Sequence, residues 1–335
     1  YWRCVSQKYL FELGGENIEL GKCEVIELLK TEKYEPKLVY YNENIIILDV
    51  LKEINKRVIR RLGMTKRVSR VLYYSNKKRF DEILKEIPNI DIKKKSFAIR
   101  LIKKNGIPEK EVAIKLGEKI PKRNEIKLSK PDVKILYYSD KKTIISIWER
   151  NLETYYKRCL KHHIRYRPFF SPIGIHPRIS RSMVNLSNST KGDKIIDPFC
   201  GTGGILIEIA DMQIEAIGID ILKKMVENSQ GNLKHYNLKG MVVEGDIQNV
   251  KNYDFNAIVT DPPYGLSSTT KGEGVKKLMS RSMEIFAETM KKEQRVVMAV
   301  SNPKLVNPKY FTLIHKFEWY IHKSLTRYIL VLERS

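Results

Sequence analysis

Cysteine is scarce in this chain: Cys4, Cys23, Cys159 and Cys200 are the only four in 335 residues, with no C-x-x-C pair and no metal-ligand spacing. That argues against a disulfide scaffold or a cysteine-held zinc, and is read as reduced thiols in a cytoplasm. Long apolar runs are missing too. No stretch approaches the ~18 residues of a membrane-spanning helix, and no signal-peptide pattern opens the chain, so a soluble cytoplasmic protein is expected. There is no internal repeat and no low-complexity tract. Acid is short as well: 39 Asp and Glu stand against 62 Lys and Arg, a net charge of +23.

That charge is unevenly spread. Residues 1–170 carry about +18 of it and residues 171–335 about +5. Such asymmetry points to a polyanionic partner for the first half. A lysine-rich, thermophile-like surface is the plainer alternative, but glutamate does not rise alongside lysine. An anionic membrane fits less well, because the basic residues do not form one amphipathic stripe.

Residues 1–50 read as a small α/β unit of ferredoxin-like type: helical spacing in "NIELGKCEVIELLK", then two strands around Asn-Glu-Asn in "KLVYYNENIIILDV". Residues 51–150 alternate basic strands with short helices and close in a hairpin, "PDVKILYYSDKKTIISIWER". Residues 151–180 are aromatic and basic, then interrupted by proline, and are assigned as a linker. His162 and His163 lie there; adjacent histidines rarely converge on one ion, so no metal site is expected.

From residue 181 to 335 the pattern is regular α/β. Strands are expected at 194–197, 214–220, 241–245, 256–260 and 295–301, with helices at 203–211, 222–231 and 275–291, and a closing antiparallel pair near 318–323 and 327–332. Alternating strands and helices predict a mostly parallel sheet. In "KIIDPFCGTGGILIEIA" a strand ends on Asp197, and a turn bearing Gly201, Thr202, Gly203 and Gly204 leads into a helix N-terminus. A lone G-x-G is weak evidence. It gains weight from Asp220 at the end of the next strand, suited to two ribose hydroxyls, and from Asp246 at the end of a third, suited to an adenine edge. Three acids at successive strand ends suit a nucleoside cofactor without polyphosphate. A dinucleotide is the rival, but the Asp-Pro before the glycines and the terminal hairpin favour S-adenosylmethionine.

"VTDPPYGLSS", residues 259–268, ends another strand with paired prolines that cannot continue a ladder. Together, "DPFCGTGGILIE" and "DPPYG" resemble the class I amino-methyltransferases. With "RPFFSP", "HPRISRSMVNL", "DPPYGLSS" and "HKSLTRYILVL", the whole chain resembles the archaeal tRNA guanine-10 N2-methyltransferase family. That resemblance implies a Rossmann-like methyltransferase domain, with a seven-stranded sheet ending in an antiparallel hairpin, preceded by an α+β THUMP-containing RNA-binding region. It implies that Asp197 and Gly201–Gly204 hold the methionine part of S-adenosylmethionine, Asp220 and Ile221 the ribose side, and Asp246 with Ile247 the adenine. Asp261, Pro262 and Tyr264 would take the target base. Leu266 stands where a basic residue is expected, which puts one RNA contact in doubt. The resemblance also implies a THUMP domain gripping the 3′ end of tRNA, and it allows a small zinc-binding activator subunit.

The chemistry follows from the residue types. Guanine's exocyclic nitrogen is a poor nucleophile because its lone pair is delocalised into the ring. Two acceptors on its hydrogens, the Asp261 carboxylate and the Pro262 carbonyl, would localise that pair, and Tyr264 would stack on the base. A stem nucleotide must first leave its stack, at a cost of about a few kcal/mol; the 266–277 loop, glycine- and serine-rich, either orders over it or is an ordinary flexible loop. Cys200 faces no obvious base and is not expected to be a nucleophile. Lys93, Lys94, Lys95, Arg100, Lys103 and Lys104 are the candidate phosphate contacts. The alternatives are a THUMP methyltransferase acting on another tRNA or rRNA guanosine, and a non-catalytic RNA-binding protein.

Overall fold

The computed structural model describes residues 6–76, 79–103, 108–171, 174–263, 274–322 and 325–335. The first part of the chain runs β1 (Gln7–Leu13), α1 (Ile18–Thr31), β2 (Lys37–Asn42), β3 (Ile45–Val50), α2 (Lys56–Arg61), β4 (Thr65–Ser75), α3 (Phe80–Glu86), β5 (Phe97–Lys103), α4 (Glu109–Gly117), β6 (Val133–Ser139) and β7 (Thr143–Glu149). It continues with α5 (Tyr155–Arg158), α6 (Pro177–Leu186), β8 (Lys194–Asp197), α7 (Gly204–Asp211), β9 (Glu215–Asp220), α8 (Lys223–His235) and β10 (Met241–Glu244). The remaining elements are β11 (Ala257–Thr260), α9 (Val275–Thr289), β12 (Arg295–Val300), β13 (Phe311–His322) and β14 (Leu325–Arg334).

Two compact units result. The first gathers residues 1–15, 34–60 and 65–154; the second gathers 16–33, 61–64 and 155–335. In the first unit, the described strands form one sheet in the order β2-β3-β1-β4-β7-β6-β5. All its pairings are antiparallel except β5 with β6. The β2–β3 hairpin turns where expected, with Glu43 in the left-handed region at φ 44°. One face is covered by α3 and α4, whose Ile83, Val112 and Leu116 pack with Ile135 and Ile145. This sheet runs without a break across the boundary expected at 50/51, since β1 pairs with both β3 and β4.

In the second unit the strand order is β10-β9-β8-β11-β12-β14-β13. The first five strands are parallel, and β14 and β13 close the sheet antiparallel. This is the mostly parallel sheet with a terminal hairpin expected from the sequence, although β13 and β14 are longer than the expected segments. Ile195, Val259 and Val297 face one apolar layer and Ile196, Ile258 and Val296 the other, so both faces of the central strands are buried.

A linker was expected at 151–180; its first four residues fall in the first unit, and the described residues from Tyr155 on belong to this second unit. Tyr155 and His162 are buried around Glu208: the Tyr155 hydroxyl donates to Oε1 at 2.9 Å, and His162 Nδ1 lies 2.9 Å from the same atom. The Arg181 guanidinium binds Glu208 Oε2 at 2.9 Å and Asp211 at 2.8 Å. Burial alone would raise the Glu208 carboxyl, but His162 and Arg181 hold it below its usual value. The helix α1 also belongs here. Its buried Glu24 accepts from the backbone N–H of Gly63 and Met64 and from the Asn185 amide, at 2.8, 2.9 and 2.8 Å.

Candidate functional site

The parallel strands deliver their carboxyl ends to one edge, where α/β sheets place ligands. A cavity of about 510 Å³ opens there. Asp197, Gly201, Thr202, Gly204, Asp220, Ile221, Asp246, Ile247, Asp261 and Pro262 all line it; of the expected cofactor residues, Gly203 alone lies behind the surface. Tyr264 and Leu266 fall outside the described residues, as does the 266–277 loop up to residue 273.

Asp197 ends β8 and is 1 % exposed. Its Oδ1 accepts from the Thr260 hydroxyl at 2.7 Å and the Phe199 N–H at 3.2 Å. Burial nevertheless pushes its carboxyl up to about 7, and the nearby charges of Asp261 and Asp220 add to that push. The turn that follows needs glycine twice. Gly201 and Gly203 have φ of +51° and +79°, and a Cβ on Gly203 would collide with the Ser229 side chain. Gly203 is the N-cap of α7 and supplies no side-chain acceptor to its first turn.

Asp220 ends β9 and accepts from Gly201 N and Leu222 N, both at 2.9 Å. Burial raises its carboxyl, opposed by those two N–H groups. It thus pins the glycine turn as well as facing the cavity. Asp246 follows β10 and differs from expectation. Its carboxylate is gripped by Arg281 Nη1 and Nη2 at 2.6 and 3.0 Å and caps the helical turn 247–252. The Arg281 bond holds it below the usual carboxylate value. Asp246 therefore lines the cavity with Arg281 already bound to it, beside the apolar Ile247.

Asp261 follows β11, and its side chain is 19 % exposed, with Oδ2 3.6 Å from Arg327 Nη2. Burial raises it to about 7, with Arg327 pulling the other way. Pro262 and Pro263 line the cavity beside it and fix the backbone that follows. Cys200 also lines the cavity, and burial pushes its thiol well above the usual value, which suits a packed residue rather than a nucleophile.

The candidate phosphate contacts divide. Lys93 and Lys94 are exposed. Lys95 is held by Glu149 at 2.9 Å, and the Arg100 guanidinium donates to the Ile99 and Leu128 carbonyls. The Lys103 side chain and all of Lys104 lie outside the described residues. Sequence reasoning missed Arg167, Ser171 and Gly174 of the supposed linker, which line the cavity, as well as Arg281 and Arg327. Arg327 lay within the quoted "HKSLTRYILVL", but no spacing ties it to Asp261.

Known proteins bear on this geometry. A family model described as an RMKL-like methyltransferase domain matches residues 165–312. A second, described as DNA methylase, matches 28–231 and stops short of Asp246 and Asp261. Among curated proteins, tRNA (guanine(10)-N2)-dimethyltransferase of Methanothermobacter thermautotrophicus is 30 % identical, covering 96 % of this chain and 98 % of that protein. The protein of that name from Methanocaldococcus jannaschii is 28 % identical over 97 % of this chain and 99 % of its own. Among solved structures, TrmN from Thermus thermophilus shares the fold with a TM-score of 0.56 at 16 % identity, covering 98 % of this chain and 100 % of that one. No helix among the described residues is long and apolar enough to cross a membrane. With the similarity to the Methanothermobacter protein running nearly end to end, through both units, the chain belongs to the tRNA (guanine(10)-N2)-dimethyltransferase family.

Proposed function

We propose that this protein methylates the exocyclic N2 of guanosine 10 in tRNA, using S-adenosylmethionine and giving N2-methyl- and N2,N2-dimethylguanosine. The observation that carries this reading is a single cavity lined by a glycine turn, a ribose-type acid and the Asp261–Pro262 acceptor pair. The family relatives named for that reaction support it. The lining suits the cofactor: acids for its cationic end and ribose hydroxyls, and Ile221, Met225 and Ile247 for an apolar ring. When bound, S-adenosylmethionine supplies a methyl group already activated by its sulfonium.

The protein's own work is placement. The Asp261 carboxylate and the Pro262 carbonyl accept the two amino hydrogens and turn the nitrogen lone pair toward the methyl donor. Holding two reactants in line is worth on the order of 7–11 kcal/mol in favourable cases. Asp261 need not be a strong base, because the N–H proton becomes acidic once nitrogen carries the methyl group. The antiparallel-sheet unit, which holds most of the basic excess, is read as the THUMP-containing tRNA grip. No feature of the described residues supports a zinc-binding partner subunit.

The test is transfer of labelled methyl to a tRNA transcript, with nucleosides mapped by mass spectrometry. Label is expected at guanosine 10, and Asp261→Asn is expected to reduce transfer by at least about 100-fold, in line with losses seen for positioned proton acceptors. Equal transfer by Asp261→Asn, or to a transcript with adenosine at position 10, would sink the assignment.

A further inference from the structure

Arg167 sits in the segment that sequence alone marked as a linker, yet it is only 5 % exposed. Its Nε donates to the His162 carbonyl at 3.0 Å. Its Nη2 is buried and has no hydrogen-bond partner among the described residues. Glu208 acts on it electrostatically, but that carboxylate is already taken up by Tyr155, His162 and Arg181. A buried guanidinium with an open N–H is expensive unless an anion completes it.

The residue that carries this donor borders the cavity. Arg167 lines it together with Gly201, Thr202 and Gly204. A Cβ on Gly204 would lie 2.8 Å from Arg167 Nη1, so the absence of a side chain there is what admits the guanidinium. Gly204 also begins α7, whose first turn has no side-chain cap. A helix N-terminus and an incompletely partnered cation therefore meet at one end of the cavity, and both attract an anion. The opposite tendency fills the rest, where Asp197, Asp220 and Asp261 line the wall and Arg281 is engaged by Asp246. A polyphosphate would be repelled by those acids. A single carboxylate on a molecule that also carries cations matches the mixture.

We propose that Arg167 binds the α-carboxylate of the methionine portion of S-adenosylmethionine. This rests on the methyltransferase reading above. Arg167 touches no reacting atom; it is a positioning residue that fixes one end of the cofactor, so that the sulfonium methyl is presented to the Asp261 side.

Calorimetric titration of the full-length protein tests this without relying on turnover. The probes are S-adenosylmethionine and its decarboxylated analogue, which differ only in the carboxylate. The wild type is expected to bind S-adenosylmethionine at least about tenfold more tightly than the analogue, the discrimination expected of one charge-assisted pair. Arg167→Gln and Arg167→Lys should bring the two affinities together by weakening S-adenosylmethionine alone, and the unchanged affinity for the analogue reports an intact site. If Arg167→Gln fails to fold, the wild-type ratio and Arg167→Lys carry the test. Equal wild-type affinities, or full discrimination retained by both variants, would overturn the proposal. A wild type that binds neither probe would instead overturn the methyltransferase reading beneath it.

Discussion

At the scale of single residues, the site is governed by acids held short of ionisation. Asp197 and Asp261 both sit near 7 because burial penalises their charge. Two consequences follow with opposite signs. An ionised Asp261 is the better acceptor for amino hydrogens, so kcat/KM should climb with pH and level off above about 7; this profile reports the free enzyme. A flat profile between pH 5.5 and 8 would remove Asp261 from its role. Stability should move the other way. The folded protein holds a proton on Asp197 more tightly than the unfolded chain does, so stability is lost as pH rises from about 4 to about 7 and stays lost above that. Asp197→Asn keeps the acceptor for Thr260 and removes this dependence. Its unfolding free energy should exceed the wild type's at pH 8 by on the order of a few kcal/mol, and match it more closely at pH 4. Urea melts at the two pH values decide it.

At the scale of elements, two packing points are decisive. Gly203→Ala would place a Cβ against Ser229 in a left-handed conformation, φ +79°. A loss of about 1–3 kcal/mol is expected from strain alone, and Ser229→Gly in the same chain should restore part of it, because the steric share vanishes and the backbone share remains. Glu24→Ala would leave the Gly63 and Met64 N–H groups and the Asn185 amide without their acceptor. It should destabilise the second unit by at least about 1–3 kcal/mol, the cost of leaving a buried donor unsatisfied, read as a lower melting temperature. These elements also divide what was legible in the sequence from what was not. The strand ends at Asp197, Asp220 and Asp261 could be read because each is announced locally, by an apolar run stopping at an acid and then proline or glycine. The destination of α1 could not: its periodicity marks a buried face, but the partner is Asn185 and the Gly63–Met64 turn, far along the chain. For the same reason Arg281 and Arg327 went unassigned, since nothing near an arginine in sequence says which carboxylate it will meet. The 151–180 segment reads as a linker because proline and aromatics look alike in a linker and in a wall packed around Glu208.

At the scale of the whole molecule, charge is the feature that matters. With +23 overall and most of it before residue 171, tRNA binding should fall steeply with salt. Lys93 and Lys94 are exposed, whereas Lys95 and Arg100 are engaged within their own unit. Lys93→Ala/Lys94→Ala should therefore weaken tRNA binding and make the log–log salt slope shallower by about 1–2, each phosphate contact contributing about 0.7–0.9. Methyl transfer at saturating tRNA should be unchanged. An unaltered slope would move the phosphate contacts elsewhere on the basic unit.

The division of the chain also has a consequence for how the protein is made. The second unit is assembled from residues 16–33, 61–64 and 155–335. Its helix α1 leaves the ribosome early, but the sheet it packs against is finished only when β14 emerges. At about 5–20 residues per second, that is a wait of roughly 15–60 s. Through that interval the apolar cluster that buries Leu20, which includes Ile329 and Val331 of β14, stays incomplete. The methyltransferase half is thus the last part of the molecule to close, although one of its helices is among the first to be synthesised.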